Sequence, residues 1–319
     1  NRFNVLPAPW LYDGTVSLLG NDRDAFIERY KFNLAPATDD RPYFFHFFKW
    51  SAFEEMMSLR EQGGAGLIEW GYLVLAGTLV QAAVAGVVLI LLPLSVTRRS
   101  WRRGTGRWMG GYFLLLGLAF LFVEMAFIQK FILFLSHPLY SVAVVLAGFL
   151  LFAGLGSACS AYVGRLAMPQ KSPITLVVSA IVAIALVYLL LLPFVFDRFA
   201  GLPDIHKIPI SLVLIAPLAF FMGMPFPLGL SRIAGEAPAF IPWAWGINGF
   251  ASVVSASTAT LLAIEFGFGA VVMLAMLLYG IAAAVYRAWP GGPVTRLSAR
   301  SQSVPRSRGR RGAYRRALP

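Results

Sequence analysis

The chain has 319 residues, a formal net charge of +12, and a composition that is 58% hydrophobic and only 13% charged. Soluble domains carry about 25% charged residues, so an ordinary water-soluble enzyme domain is excluded for most of this sequence and an integral membrane protein is expected. The single cysteine, Cys159, excludes an intrachain disulfide and a cysteine-type zinc site, and His46, His137 and His206 are too scattered to predict a metal.

Residues 1–32 read as soluble and mixed, with "DGTVSLLGNDRDAFIERY" fitting a turn and a short helix that Asp22 or Asp24 would cap. Residues 1–50 are expected to be the C-terminal remnant of an upstream soluble domain. They have neither the basic start nor the apolar core of a signal peptide, and they are too few to form a stable domain alone. The first residue is Asn1 rather than Met, so a fragment or a processed product is expected. The stretch "NLAPATDDRPYFFHFFKW" (33–50) sets Asp39, Asp40 and Arg41 before a run of aromatic and imidazole side chains. Such side chains suit the headgroup region of a bilayer. Residues 51–67 form the connector. "SAFEEMMSLREQG" is an amphipathic helix with Phe53, Met56, Met57 and Leu59 toward one side, ended by Gly63, Gly64 and Gly66.

The region 68–287 is expected to be an all-α polytopic bundle of about seven transmembrane helices. The apolar runs are 68–94, 110–135, 139–163, 173–196, 208–230, 241–263 and 266–287. Pro217, Gly223, Pro225 and Pro227 interrupt the fifth run, so its second half is expected to be broken or re-entrant, with freed backbone groups partnered by neighbouring helices. Cys159, inside the third run, is expected to be a buried packing residue. Residues 288–319, rich in Pro, Gly, Ser and Arg, cannot bury enough surface to fold and are read as disordered. Their arginines point to anionic lipids or a topology signal rather than to nucleic acid.

Charge sorts by side. Arg98, Arg99, Arg102, Arg103 and Arg107, then Arg165 and Lys171, then Arg232 and the nine arginines from Arg287 onward fall on one side. The other side has Arg198 and Lys207, balanced by Asp197 and Asp204. The positive-inside rule makes the first side, and the C-terminus, cytoplasmic. Seven spans then place residues 1–67 outside.

Three stretches carry a resemblance: "FNLAPATDDRPYFFHFFKW" (32–50), "GLAFLFVEMAFIQKFILFLSHPLYSVAVVLAGFLLFAGLGS" (117–157), and "MPFPLGL" (224–230) together with "PWAWGINGFASVVSASTATLLAIEFGF" (242–268). They resemble bacterial membrane-bound spermidine-synthase-like proteins, in which a Rossmann-like aminopropyltransferase or methyltransferase-type domain is fused to membrane spans. The resemblance implies that residues 1–50 close an upstream soluble domain. That domain would use decarboxylated S-adenosylmethionine or S-adenosylmethionine, and the host would be the bacterial cytoplasmic membrane. No G-x-G-x-x-G occurs and the one Asp-Asp pair is Asp39–Asp40, so no catalytic residue is carried over and this chain alone is not expected to be catalytic. A cytosolic cofactor would place residues 1–67 inside, against the arginine count.

Within the spans the pointed candidates are Glu124, Gln129, Lys130 and Asn248. A charge at the centre of a span costs at least about 2.5 kcal/mol on insertion scales. Glu124 and Lys130 lie about 120° apart on the helix, so Glu124 is expected to pair with Asn248 on another helix. His137 or Lys130 of a neighbouring subunit is the weaker option. Asn248, Ser252, Ala256 and Thr260 form a small polar stripe, and Gly148, Gly154, Gly156 and Ser160 another close-packing face. Trp243 and Trp245 read as interface anchors, and Glu265 as solvated. Asp39, Asp40 and Arg41 either close a pocket of the upstream domain or, as the plainer reading, cap a turn and form an ion pair.

Three functions fit: the membrane part of a spermidine-synthase-like protein that anchors or supplies substrate to its transferase domain, a transporter or flippase built on Glu124 and Asn248, or a purely structural anchor. Sidedness separates the expectations. With single cysteines at Ser51 and Ser303 in a Cys159→Ala background, a membrane-impermeant thiol reagent is expected to label position 51 and not 303 in intact cells. Protection of both positions would mean an even number of crossings.

Overall fold

The structure is a computed structural model and describes residues 9–43, 46–53, 70–96, 105–166 and 172–290. Most of the expected connector, the arginines at 98–103, Lys171 and the tail from 291 lie outside the described residues. The described chain is all-α.

Two short helices come first, α1 (Trp10–Leu19) and α2 (Arg23–Arg29), where one was expected. Asp22 holds the N-cap position of α2 but makes no side-chain cap bond. The other end of α2 is closed from a distance. The Lys49 ammonium donates to the carbonyls of Ile27 (2.9 Å), Glu28 (3.0 Å) and Tyr30 (2.9 Å). A cation there satisfies orphan carbonyls and opposes the negative end of the helix dipole. The aromatic run then packs on the first span: Phe48 stacks on Tyr72 at 5.0 Å, and Trp50 meets the same ring edge-on at 6.0 Å.

Among the described residues seven helical stretches are long and apolar enough to cross a membrane, and the chain is an integral membrane protein. The first comprises α3 (Trp70–Gly86), a π-helical segment Val87–Leu91 and α4 (Leu92–Val96). Then follow α5 (Thr105–Leu135), α6 (Pro138–Leu166), α7 (Pro173–Phe199), α8 (Asp204–Met222) with α9 (Pro225–Glu236), α10 (Ile241–Phe266) and α11 (Phe268–Ala288). The apolar runs read from the sequence coincide with these helices to within a few residues at most ends.

Helix α5 is the centre: 61% of its spanning window is buried, against 6% for the first span, which leans mainly on α10. α5 packs on α10 and α11 on one side and on α6 on the other, while α6 pairs with α8 and α7 lies against α8 and α11. Its two-residue turn into α6 places Ser136 in the left-handed region at φ 59°, a conformation that disfavours a side chain.

Small residues set these distances, though not all those expected. Gly156 touches the backbone of Phe220, and Gly223 that of Ala153, so α6 and α8 approach backbone to backbone. Gly148 packs under Ile215 and Leu212, whereas nothing approaches Gly154. On α10 the fully buried line is Ala244, Ala251, Ser255, Ala259 and Ala263; the expected stripe from Asn248 to Thr260 lies beside it, half-buried. Cys159 faces outward from α6 instead of into the core. Most of its spanning helix is not covered by protein, so an apolar thiol there can face lipid.

Adding a methyl at Gly156 forces α6 off Phe220. Gly156→Ala is expected to lower stability by about 1–3 kcal/mol, the usual cost of overpacking. Gly280→Ala, with nothing within 4 Å of the new carbon, should be neutral or stabilising by up to about 1 kcal/mol. Thermal unfolding of the two variants in one detergent gives the comparison.

Candidate functional site

The Thr38–Arg41 turn is closed by a pair of backbone hydrogen bonds (3.2 and 2.9 Å) and is docked on the α10–α11 corner. That corner needs a left-handed residue, which Gly267 supplies at φ 88°. The first N–H groups of α11 have no partners of their own. Phe268 N–H donates to the Asp40 carbonyl (3.0 Å), and Gly269 N–H to Asp40 Oδ1 (2.8 Å). Lys130 Nζ donates to the same carboxylate oxygen at 3.3 Å. Arg41 Nη1 reaches the Glu265 carbonyl near the end of α10 at 3.5 Å. An acid thus sits on a helix N-terminus and a cation on a helix C-terminus, each opposing the local dipole. Tyr43 packs on Phe268 at 5.8 Å, and burial pushes its phenol up to about 12.

The outcome for the joint is mixed in detail. Asp40 caps a helix 229 residues away rather than its own turn. Arg41 bonds a carbonyl; among the described residues it forms no ion pair. Glu265 is not simply solvated, because its carboxylate accepts from the Tyr72 hydroxyl at 3.1 Å.

A second feature lies within the membrane. Between Met222 and Pro225 the fifth span breaks, and the backbone turns through Gly223 and Met224. Pro225 opens α9, where its missing N–H costs nothing. Its carbonyl accepts from the buried Tyr112 hydroxyl of α5 at 2.6 Å, which holds the start of α9 against α5. Beside this break is a cavity of about 470 Å³, mostly apolar, bounded by α5, α6, α10 and α11. Its polar edges are Ser157, Asn248, Ser252 and Tyr279, and Trp245 and Phe226 close one side with their rings 4.7 Å apart. Cavities of about 300–1,000 Å³ are the usual size for a small ligand.

The intramembrane candidates divide around this cavity. Asn248 lines it and donates to the Phe113 carbonyl at 3.1 Å; the expected Glu124–Asn248 pair is not formed. Glu124 is 6% exposed and lies one helical turn beyond Phe120 and Leu121, which line the cavity. Among the described residues its carboxyl has no hydrogen bond or ion pair, and Tyr279 is the group that interacts with it electrostatically. Gln129 is half-buried and makes no side-chain hydrogen bond among the described residues. Lys130 belongs to the joint instead, on Asp40. The structure therefore brings Lys130 and Asp40 together, puts Asp39 beside them, and leaves Glu124 with Tyr279.

Tyr279 and Lys207 are the residues that sequence reading missed. Tyr279 is an aromatic inside a clean apolar run, with no local mark of its position. Lys207 looked like a loop charge, but it stands on the first turn of α8 and is buried. The apolar neighbours in "IHKIPI" were the available signal. No group of three or more His, Cys, Asp or Glu that would hold a metal ion occurs among the described residues. Compared with protein-family models, with curated proteins and with solved structures, the chain matches none of them.

Removing the trans cap has a graded cost. Asp40→Ala is expected to lower stability by about 1 kcal/mol, as for other helix N-terminal caps. Lys130→Met should cost less, about 0–1 kcal/mol for a screened pair. Gly267→Ala should cost about 1–3 kcal/mol through the left-handed backbone. Thermal unfolding gives the order, and faster trypsin cleavage after Lys49 in Asp40→Ala would show that the joint itself has loosened.

Proposed function

We propose that this chain is the membrane domain of a spermidine-synthase-like integral membrane protein of the bacterial cytoplasmic membrane. It seats a soluble transferase domain on the bundle and admits an amphiphilic molecule through the cavity at the α8–α9 break. The observation that carries this reading is the joint. Asp40 and Arg41 are bonded to the α10–α11 corner, and the aromatics after them to Tyr72. A segment fixed this way holds what precedes it at a set position over one end of the bundle, whereas a tether would leave it free. The resemblance in residues 32–50, 117–157 and 224–268 supports a domain of the S-adenosylmethionine-using type there, with S-adenosylmethionine or its decarboxylated form as cofactor. The positive-inside pattern supports a cytoplasmic C-terminus.

A cavity with an apolar lining and four polar side chains suits a lipid-like chain bearing a hydroxyl, amide or ester. That counts against a purely structural anchor. One observation favours the transporter or flippase reading: Glu124 and Tyr279 lie deep in the membrane beside a broken helix, as in transporters that bind at mid-membrane.

The cavity is tested by filling it. Gly154 lines it with nothing within 4 Å, so Gly154→Trp should fold and occupy the space. An amphiphile extracted from the purified wild-type chain and quantified by mass spectrometry is expected to fall at least tenfold in the variant. Equal recovery from both would sink the cavity reading. Glu124-dependent movement of a labelled lipid between leaflets in proteoliposomes would transfer the assignment to the flippase. Aminopropyl transfer by the 319 residues alone is not expected.

A further inference from the structure

At the joint end of the bundle, away from the intramembrane cavity, lies a second pocket of about 380 Å³. The last turns of α5 and α7 and the first turn of α8 form it, with Asp39 of the joint at its rim. Its wall is divided. Leu133, Phe134, Leu192, Pro193 and Phe196 make an apolar side, where the rings of Phe134 and Phe196 stack 4.6 Å apart. Lys130, Lys207, Ser136, Asp39 and Asp197 make a polar side.

The charges on the polar side are not equivalent. Lys130 already has its counter-ion in Asp40. Asp39 and Asp197 stand exposed at the rim, where water and salt screen them. Lys207 is 5% exposed and lines the pocket. Among the described residues its ammonium has no carboxylate within 4.0 Å and no hydrogen-bond acceptor; its one contact is the face of the Phe134 ring at 5.4 Å. The stem of Lys207 is buried while its ammonium keeps a small opening to the pocket, and the apolar walls around it strengthen its pull on any anion that enters.

We propose that Lys207 is the anchor of a binding site for a phosphate group, with the stacked Phe134–Phe196 wall taking apolar matter attached to it. Lys130 is already neutralised by Asp40 and adds no free charge, while Ser136, held in its left-handed turn, lines the pocket and can add a hydroxyl donor. The phosphate has two possible sources: the headgroup of a phospholipid, whose chains lie along the apolar wall, or a free phosphate or phosphate monoester from solution. The divided lining, at the ends of three spans, favours the phospholipid. The inference stands apart from the transferase reading, since it uses neither the resemblance nor the intramembrane cavity.

The experiment uses the full chain, purified in phosphate-free maltoside detergent. Dioleoylphosphatidylglycerol, dioleoylglycerol and inorganic phosphate are titrated separately, and binding is followed by native mass spectrometry and by the thermal midpoint. Wild-type protein should bind the phosphatidylglycerol in preference to the phosphate-free diacylglycerol. Lys207→Met should weaken that binding at least tenfold while Lys207→Arg keeps it. Leu133→Trp, which blocks the pocket without touching the buried charge, should weaken it likewise and serves if Lys207→Met does not fold. Each variant keeps the arginine-rich tail unchanged, so the difference between variants isolates the pocket. A Lys207-dependent rise in thermal midpoint with inorganic phosphate alone would support the site and assign the free anion as its ligand. Equal lipid and phosphate binding by wild type, Lys207→Met and Leu133→Trp would overturn the proposal.

Discussion

The last helix, α11, is closed at both ends by charges that come from elsewhere in the chain. At its start, Asp40 takes the orphan N–H of Gly269 and, through its backbone, that of Phe268. At its finish, Arg232 of α9 donates to the carbonyls of Tyr286 (2.7 Å) and Trp289 (2.8 Å), with its guanidinium over both rings. Unpaired backbone groups near the hydrocarbon region cost several kcal/mol each, so a helix in this setting cannot leave its ends open. The bundle solves this with an acid at the positive end and a cation at the negative end. Because α11 packs on α5, α7 and α10, fixing α11 fixes the frame around the intramembrane cavity and the second pocket.

The same need explains the break in the fifth span. A helix carrying Pro209, Pro217, Pro225 and Pro227 loses N–H donors in sequence, and the bundle concentrates the disruption at Gly223 and Met224. There, Gly223 and Gly156 let α6 come close enough to brace the turn, and the Tyr112 hydroxyl ties the first residue of α9 to α5. The cavity is the space that this irregular backbone leaves between regular helices.

The spans were legible because their signal is local: about 20 apolar residues suffice to mark each one, and the prolines of 208–230 marked the break. The site was legible only in part. Asp40, Arg41 and Lys130 stood out as charges in unusual company, yet their partners are backbone groups, which no residue type announces. Glu124 was found through its cost in lipid, but the choice of Asn248 as its partner failed because that amide donates to the Phe113 carbonyl of α5 instead. Lys207 was read as a loop charge because the span was started one turn late. Arg232 was counted as a topological charge, although its guanidinium is committed to α11 and Glu236. Charge counts by side treat every arginine alike; the structure separates those that face solvent from those that close helices.

The hydrogen bond between Asp40 and Gly269 spans 229 residues, and that separation orders events during synthesis. Asp40 leaves the ribosome early, long before its partner exists. Six spans must enter the bilayer before α11 emerges to meet it. Until then the Thr38–Arg41 turn has only part of its seat: Tyr72 of the first span and Lys130 of α5 are in place, but the N–H groups of α11 are not. The joint is therefore completed last: its closing hydrogen bonds form only on a chain whose final helix has been made.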